Sequence, residues 1–276
     1  MSSKLRQLIQ LGKILIFILL LFVKITFLKE VNTMIINNDS PLRRLPPLDP
    51  KTTLILYGIR YSIEMADAAY SKLHKTIFDK MCSKAEEISN TTKEQIKSKT
   101  KHVDNVSVFL DAWSVVDSVH RLRGLFKCAP FIVQDSGCQQ FYQDTNDIQL
   151  LRNIVQHLPG KINEITSQYF PILGVLSWFY VSDLENKIGL NCSLLAGTLF
   201  NNMRIDFVNP SNSKRNLIYP LDLITLNAYK YSVCLTDIMM YVEKMTRIIE
   251  NQMKEQFENL PAAGADLMLC AHLKWE

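Results

Sequence analysis

Gly58 to Met81 reads GIRYSIEMADAAYSKLHKTIFDKM. Within it Ile59, Ile63, Ala66, Tyr70, Leu73, Ile77 and Met81 follow one another at spacings of 4, 3, 4, 3, 4 and 4 residues. An α-helix turns once in about 3.6 residues, so these side chains form one apolar stripe along a long amphipathic helix. Asp49-Pro50 supplies the start. The aspartate is a capping residue, and the proline fits a first turn whose N–H groups have no helical partner.

The same period recurs downstream. Val108, Ala112, Val115, Val119, Leu122 and Phe126 predict a second long helix that stops near Cys128-Ala129-Pro130. A third is expected from about Asp144 through Ile148, Leu151 and Val155 to Leu158, ended by Pro159-Gly160. A last helix carries Ile238, Val242, Met245, Ile249 and Met253 on one face.

Between the third and last helices the pattern changes. Tyr169 to Val181 is almost continuously apolar and aromatic and reads as a buried strand. Ser182 to Gly189 is a polar turn, Leu190–Phe200 and Met203–Val208 read as further strands, and Asn209-Pro210-Ser211-Asn212-Ser213 reads as a turn. The expected fold is mainly α: an up-and-down helical bundle with a small antiparallel β insert at about 169–220 and a long C-terminal helix. The expected organisation is an apolar segment at 1–33, a proline-rich linker at 34–49, a single helical domain with its β insert at 50–260, and a tail at 261–276.

Hydrophobic content of 47% and charged content of 21% are those of a globular fold and exclude a disordered chain. Charge is unevenly placed. Residues 1–34 hold Lys4, Arg6, Lys13, Lys24 and Lys29 against Glu30 alone, which is the whole net charge of +4. The remaining 26 basic and 26 acidic residues balance. Phosphate neutralisation supplies most nucleic-acid affinity, so a neutral body argues against DNA binding and leaves room only for a small, transient RNA site. Asn90 to His102 is polar and locally basic, as a solvated helix end or loop is.

Leu8 to Leu28 is apolar, with Ile14–Val23 an unbroken run of ten. Three readings stand open. A membrane anchor needs about 20 apolar residues and reaches that length only by including Lys13 and Lys24, which snorkel toward the headgroups. That reading gives membrane association through 8–28 with a cytoplasmic body. A signal peptide fits the basic start, but no small-x-small cleavage site follows. A start at Met34 makes the preceding stretch untranslated and the protein cytoplasmic.

The six cysteines lie nowhere within four residues of one another, so neither a zinc knuckle nor a Cys-x-x-Cys pair is spelled out. No two of the nine glycines are closer than eight residues, which removes the P-loop, Gly-x-Gly-x-x-Gly and Gly-x-Ser-x-Gly turns. His-Glu-x-x-His is also absent. No cofactor and no metal is expected. Asp117 and His120, three apart on the second helix, share a face but lack the further ligands a metal needs. They read as a polar face or as support for a site on the neighbouring helix. Arg121, Arg123 and Lys127 either add positive charge near that face or are simply solvated.

The stretch that carries chemistry is Arg152-Asn153-Ile154-Val155-Gln156-His157. RNA cleavage without a metal needs a base for the 2′-hydroxyl proton and a fixed positive charge for the phosphorane. Histidine titrates near neutral pH, and arginine stays charged and forks onto phosphate oxygens. Five positions along an ideal helix turn two side chains apart by about 140°, so Arg152 and His157 converge only if the helix breaks near His157 or if two chains face each other.

Two long helices, a third ending in Arg-Asn-x-x-x-His and a further helix resemble the HEPN superfamily. The resemblance spans roughly residues 50–165 and the last helix. It implies an up-and-down helical bundle that forms a homodimer and joins two Arg–His pairs in one cleft. It also implies a metal-independent endoribonuclease of a toxin or defence system, with RNA as substrate, Arg152 and His157 catalytic and Asn153 supporting. Some members of the family are inactive binding modules. A non-catalytic helical interaction protein, membrane-tethered in one version, is therefore the alternative.

Overall fold

The computed structural model describes residues 34–90, 105–129, 132, 136–167, 171, 173–183, 185–195, 208–213, 215–257, 261, 266–268 and 270. The expected membrane segment at 8–28, the basic stretch after Asn90 and residues 203–207 of an expected strand lie outside them. Among the described residues no helix is long and apolar enough to cross a membrane.

The first stripe forms α1, Pro50–Asn90. The Asp49 carboxylate accepts from the Thr52 backbone N–H at 3.0 Å and caps it. Ile59, Ile63, Ala66 and Leu73 are fully buried, and Ile77 nearly so. The second stripe forms α2, Val106–Cys128, with Val108 through Phe126 of the stripe all buried. Lys72 meets Asp111, Met65 meets Arg121, and Gly58 faces Leu125, so α1 and α2 run antiparallel. A Cβ on Gly58 would lie 3.0 Å from a Leu125 methyl. The bare glycine lets the two helices approach closely there.

The third helix forms where expected, as α4 at Asn146–Gln156, but two short helices that the pattern does not predict flank it, α3 at Ser136–Asp144 and α5 at Leu158–Ser167. His157 is the joint. Its N–H donates to Asn153 O at 3.2 Å to close α4, and its own carbonyl accepts from Lys161 N at 3.1 Å to open α5. Pro159-Gly160 therefore does not terminate the helical run. Pro159 sits in the first turn of α5, where a missing N–H costs nothing.

The antiparallel insert reaches further along the chain than expected. Four antiparallel strands, β1 Val175–Asp183, β2 Ile188–Leu195, β3 Leu221–Ala228 and β4 Tyr231–Cys234, form one sheet in the order β2-β1-β3-β4. Two of them lie beyond the expected limit near 220. A bulge breaks the β1–β3 register between Ser177 and Phe179, and opposite it Leu223 adopts φ 52. The bulge turns Asp222 fully inward. β4 runs straight into α6, Leu235–Phe257, whose Ile238, Val242, Met245, Ile249 and Met253 are buried as the stripe predicts.

One apolar core joins α1–α4, α6 and the inner face of the sheet. The architecture is thus α plus β, mostly helical, and not a strict up-and-down bundle. The stretch expected as a linker also packs onto this core. Ile36, Leu42 and Leu45 are buried, and Asp67 accepts from the Ile35 N–H at 3.0 Å. Its prolines set turns, while its aliphatic side chains supply the burial that holds them down.

Candidate functional site

Arg123 orients the helix that carries the motif. It is 5% exposed, and its Nη1 donates to the Tyr142 carbonyl at 2.7 Å and to Thr145 Oγ1, while Nη2 reaches Gln149 Oε1 at 3.5 Å. Its guanidinium also lies 5.6 Å from the centre of the Tyr142 ring. These contacts fasten α2 to the α3–α4 corner. Burial pulls the Arg123 pKa below the ordinary arginine value. Of the two readings of this arginine, the solvated one fails because the guanidinium satisfies carbonyl and hydroxyl groups that the corner leaves open, and its charge is felt at His120.

With α4 held this way, Arg152 turns onto α2. Its Nε donates to Asp117 Oδ1 at 3.2 Å, and neither terminal nitrogen takes a partner among the described residues. The side chain is 28% exposed. One turn beyond Asp117 stands His120. Burial is the first cause that lowers its pKa, followed by the positive charges of Arg152 and Arg123. Asp117 opposes them. The imidazole is accordingly neutral at neutral pH.

Asn153 and His157 are exposed. The helix does break at His157, which stands at φ −104, ψ 19 between α4 and α5. Among the described residues, however, no hydrogen bond or ion pair joins Arg152 to His157. Within one chain the grouping is Arg152, Asp117 and His120. The signal for it was Asp-x-x-His on one face of α2, which spacing alone marks as a shared face without saying what it meets. Among the described residues no three His, Cys, Asp or Glu side chains group in a way that could hold a metal ion.

A second polar assembly left no readable trace in the sequence. Arg215 forks onto both oxygens of Asp222, at 2.7 Å each, and reaches Asp237 Oδ1 from Nε at 3.0 Å and from Nη2 at 2.8 Å. Asp222 also accepts the N–H groups of Ile218 and Leu223, at 2.6 Å each. The carboxylates raise the Arg215 pKa. This assembly ties the β3 bulge to the first turn of α6.

Fold and site define a mostly helical α plus β protein with an anchored arginine, a neutral histidine beside it and an exposed histidine at a helix joint. Compared with known protein families, curated proteins and solved structures, the chain matches none.

Proposed function

We propose that this protein is a HEPN-like, metal-independent endoribonuclease of a toxin or defence system, acting as a homodimer on RNA. The observation that carries the reading is the helix joint. His157 stands exposed where α4 stops, five residues past Arg152, whose terminal nitrogens have no partner among the described residues. Arg152 binds and stabilises the phosphorane. An imidazole removes the 2′-hydroxyl proton, O2′ bonds to phosphorus, and the bond to O5′ breaks as that oxygen takes a proton from a second imidazole. The products are a 2′,3′-cyclic phosphate and a 5′-hydroxyl. His157 supplies one imidazole, and its copy in a second chain supplies the other. Asn153, exposed on the same turn of helix, supports the phosphate.

The test is cleavage of a labelled RNA by the full chain in EDTA. Loss of cleavage in both Arg152→Ala and His157→Ala supports the reading, and equal cleavage by all three proteins overturns it.

A second reading is a non-catalytic helical interaction protein. It is favoured by two large apolar side chains exposed one turn apart at the start of α2, Val106 at 73% and Leu110 at 60%. Equal background in the cleavage assay selects it.

A further inference from the structure

A carboxylate from the C-terminal tail is seated on the first helix. Arg60 of α1 donates from Nη1 to Asp266 Oδ1 at 3.0 Å and from Nη2 to Asp266 Oδ2 at 2.6 Å. The Tyr61 hydroxyl donates to Asp266 Oδ1 at 2.7 Å. Two parallel N–H groups on two carboxylate oxygens are the most selective contact an arginine makes.

The receiving side is held without the tail. Arg60 is 4% exposed. Its Nε donates to Glu64 Oε1 at 3.0 Å, one turn along α1, and Arg43 Nη2 holds Glu64 in turn at 2.8 Å. Glu64 takes the inner nitrogen and leaves the two terminal nitrogens for a second acid. The Arg60 guanidinium lies 5.0 Å from the centre of the Tyr61 ring, which places the phenol beside the fork.

The tail brings little besides its carboxylate. Among the described residues, nothing else in the tail makes a hydrogen bond or ion pair. The two side chains after Asp266 are exposed, Leu267 at 84% and Met268 at 89%. Tyr61 and Met65, one turn apart on α1, also stay exposed, so the tail does not cover the apolar surface next to the fork. Arg60, by contrast, cannot go without an acid, because a buried cation that loses its partner is costly. The fork therefore demands a carboxylate and is indifferent to the chain that carries it. A peptide that sets an apolar side chain on Tyr61 and Met65 gains burial that Leu267 and Met268 do not.

We propose that Arg60 and Tyr61 form a receptor for an aspartate or glutamate side chain of a partner peptide, with Asp266 as the internal competitor that fills it until such a peptide binds. The site uses neither Arg152 nor His157 and does not depend on the nuclease reading.

The experiment is fluorescence anisotropy of a fluorescein-labelled peptide of residues 262–269 titrated with full-length protein. Asp266→Asn removes the competing charge at nearly constant size, in a side chain that is 54% exposed. Asp266→Ser vacates the site in a second way. Both variants are expected to bind the peptide saturably and about tenfold or more tighter than the parent, whose tethered carboxylate competes at a high effective concentration. Tyr61→Phe, added to Asp266→Asn, removes one charge-assisted hydrogen bond and weakens binding by about tenfold. A contact that only braces the fold gives no binding to either variant. That result overturns the proposal, as does equal binding by parent and variants, or by a peptide carrying asparagine in place of its aspartate. Displacement of the peptide by inorganic phosphate at lower concentration than by acetate overturns the assignment to a carboxylate.

Discussion

Arg152 Nε donates to Asp117 Oδ1 across 3.2 Å, which bridges 35 residues of sequence and fastens α4 to α2. The bond uses only one corner of the guanidinium. It holds the arginine by its inner nitrogen and leaves the outer two without a partner among the described residues, an arrangement suited to phosphate and one that a lysine could not copy. As an exposed pair it contributes little stability, about 0–1 kcal/mol, so its substitution tests electrostatics rather than folding.

The first prediction concerns His120. Arg152 pushes its pKa down and Asp117 pushes it up. Arg152→Ala therefore raises the His120 pKa, and Asp117→Asn lowers it further. Titration of the ring proton by NMR reads both. Shifts of the same sign, or none in either variant, would show that the three groups do not form one cluster.

A second prediction concerns the corner that aims α4. Arg123→Met removes charged hydrogen bonds to Tyr142 O and Thr145 Oγ1 and leaves the buried carbonyl short of a donor. Net of the desolvation relieved, this costs about 2 kcal/mol. Urea unfolding measures it. In the Arg123→Met background the coupling between Arg152 and Asp117, read by a double-mutant cycle, should fall toward zero. A stability unchanged from the parent would place Arg123 outside the frame of the site.

The sequence announced some of this and concealed the rest. The stripes of α1, α2 and α6 are legible because each buries one face against a single core, so period and burial agree. Thr145 and His157 are corners for a different reason. Arg123 reaches in from another helix to hold the first, and Pro159 reads equally well as a stop or as a first turn. β3 escapes the period-two reading because Asp222 points inward at a bulge, toward an arginine seven residues upstream that no local pattern marks. The motif residues Arg152 and His157 are marked by spacing, and their geometry offers a break at His157 as one of two ways for them to converge, the other being two facing chains. That Arg152 would settle on Asp117 and His120 is a tertiary fact.

Acid sensitivity follows from His74. It is 7% exposed, its Nε2 lies 3.3 Å from the Leu221 carbonyl, and burial holds its pKa below the ordinary value of 6.5. A lowered histidine pKa means that the unfolded chain binds the proton more readily. Its stabilising contribution is therefore fully present above about 6.5 and is lost as pH falls through the lower folded value. Urea unfolding from neutral to mildly acidic pH should show this loss in the parent protein and a flatter profile in His74→Gln. Identical slopes would assign the acid sensitivity to other groups.

The Arg215 assembly makes an ordering that can be checked. Asp222 is fully buried and depends on Arg215 for charge compensation, whereas the Asp237 side chain is 36% exposed and can be solvated instead. Arg215→Met strands a buried carboxylate, and breaking such a pair costs about 3–5 kcal/mol. Asp237→Asn removes only the outer partner and costs about 1 kcal/mol or less. Chemical denaturation of both variants measures the order. Equal losses, or a larger loss at Asp237, would mean that the bulge is held by its backbone and not by the ion pair beneath it.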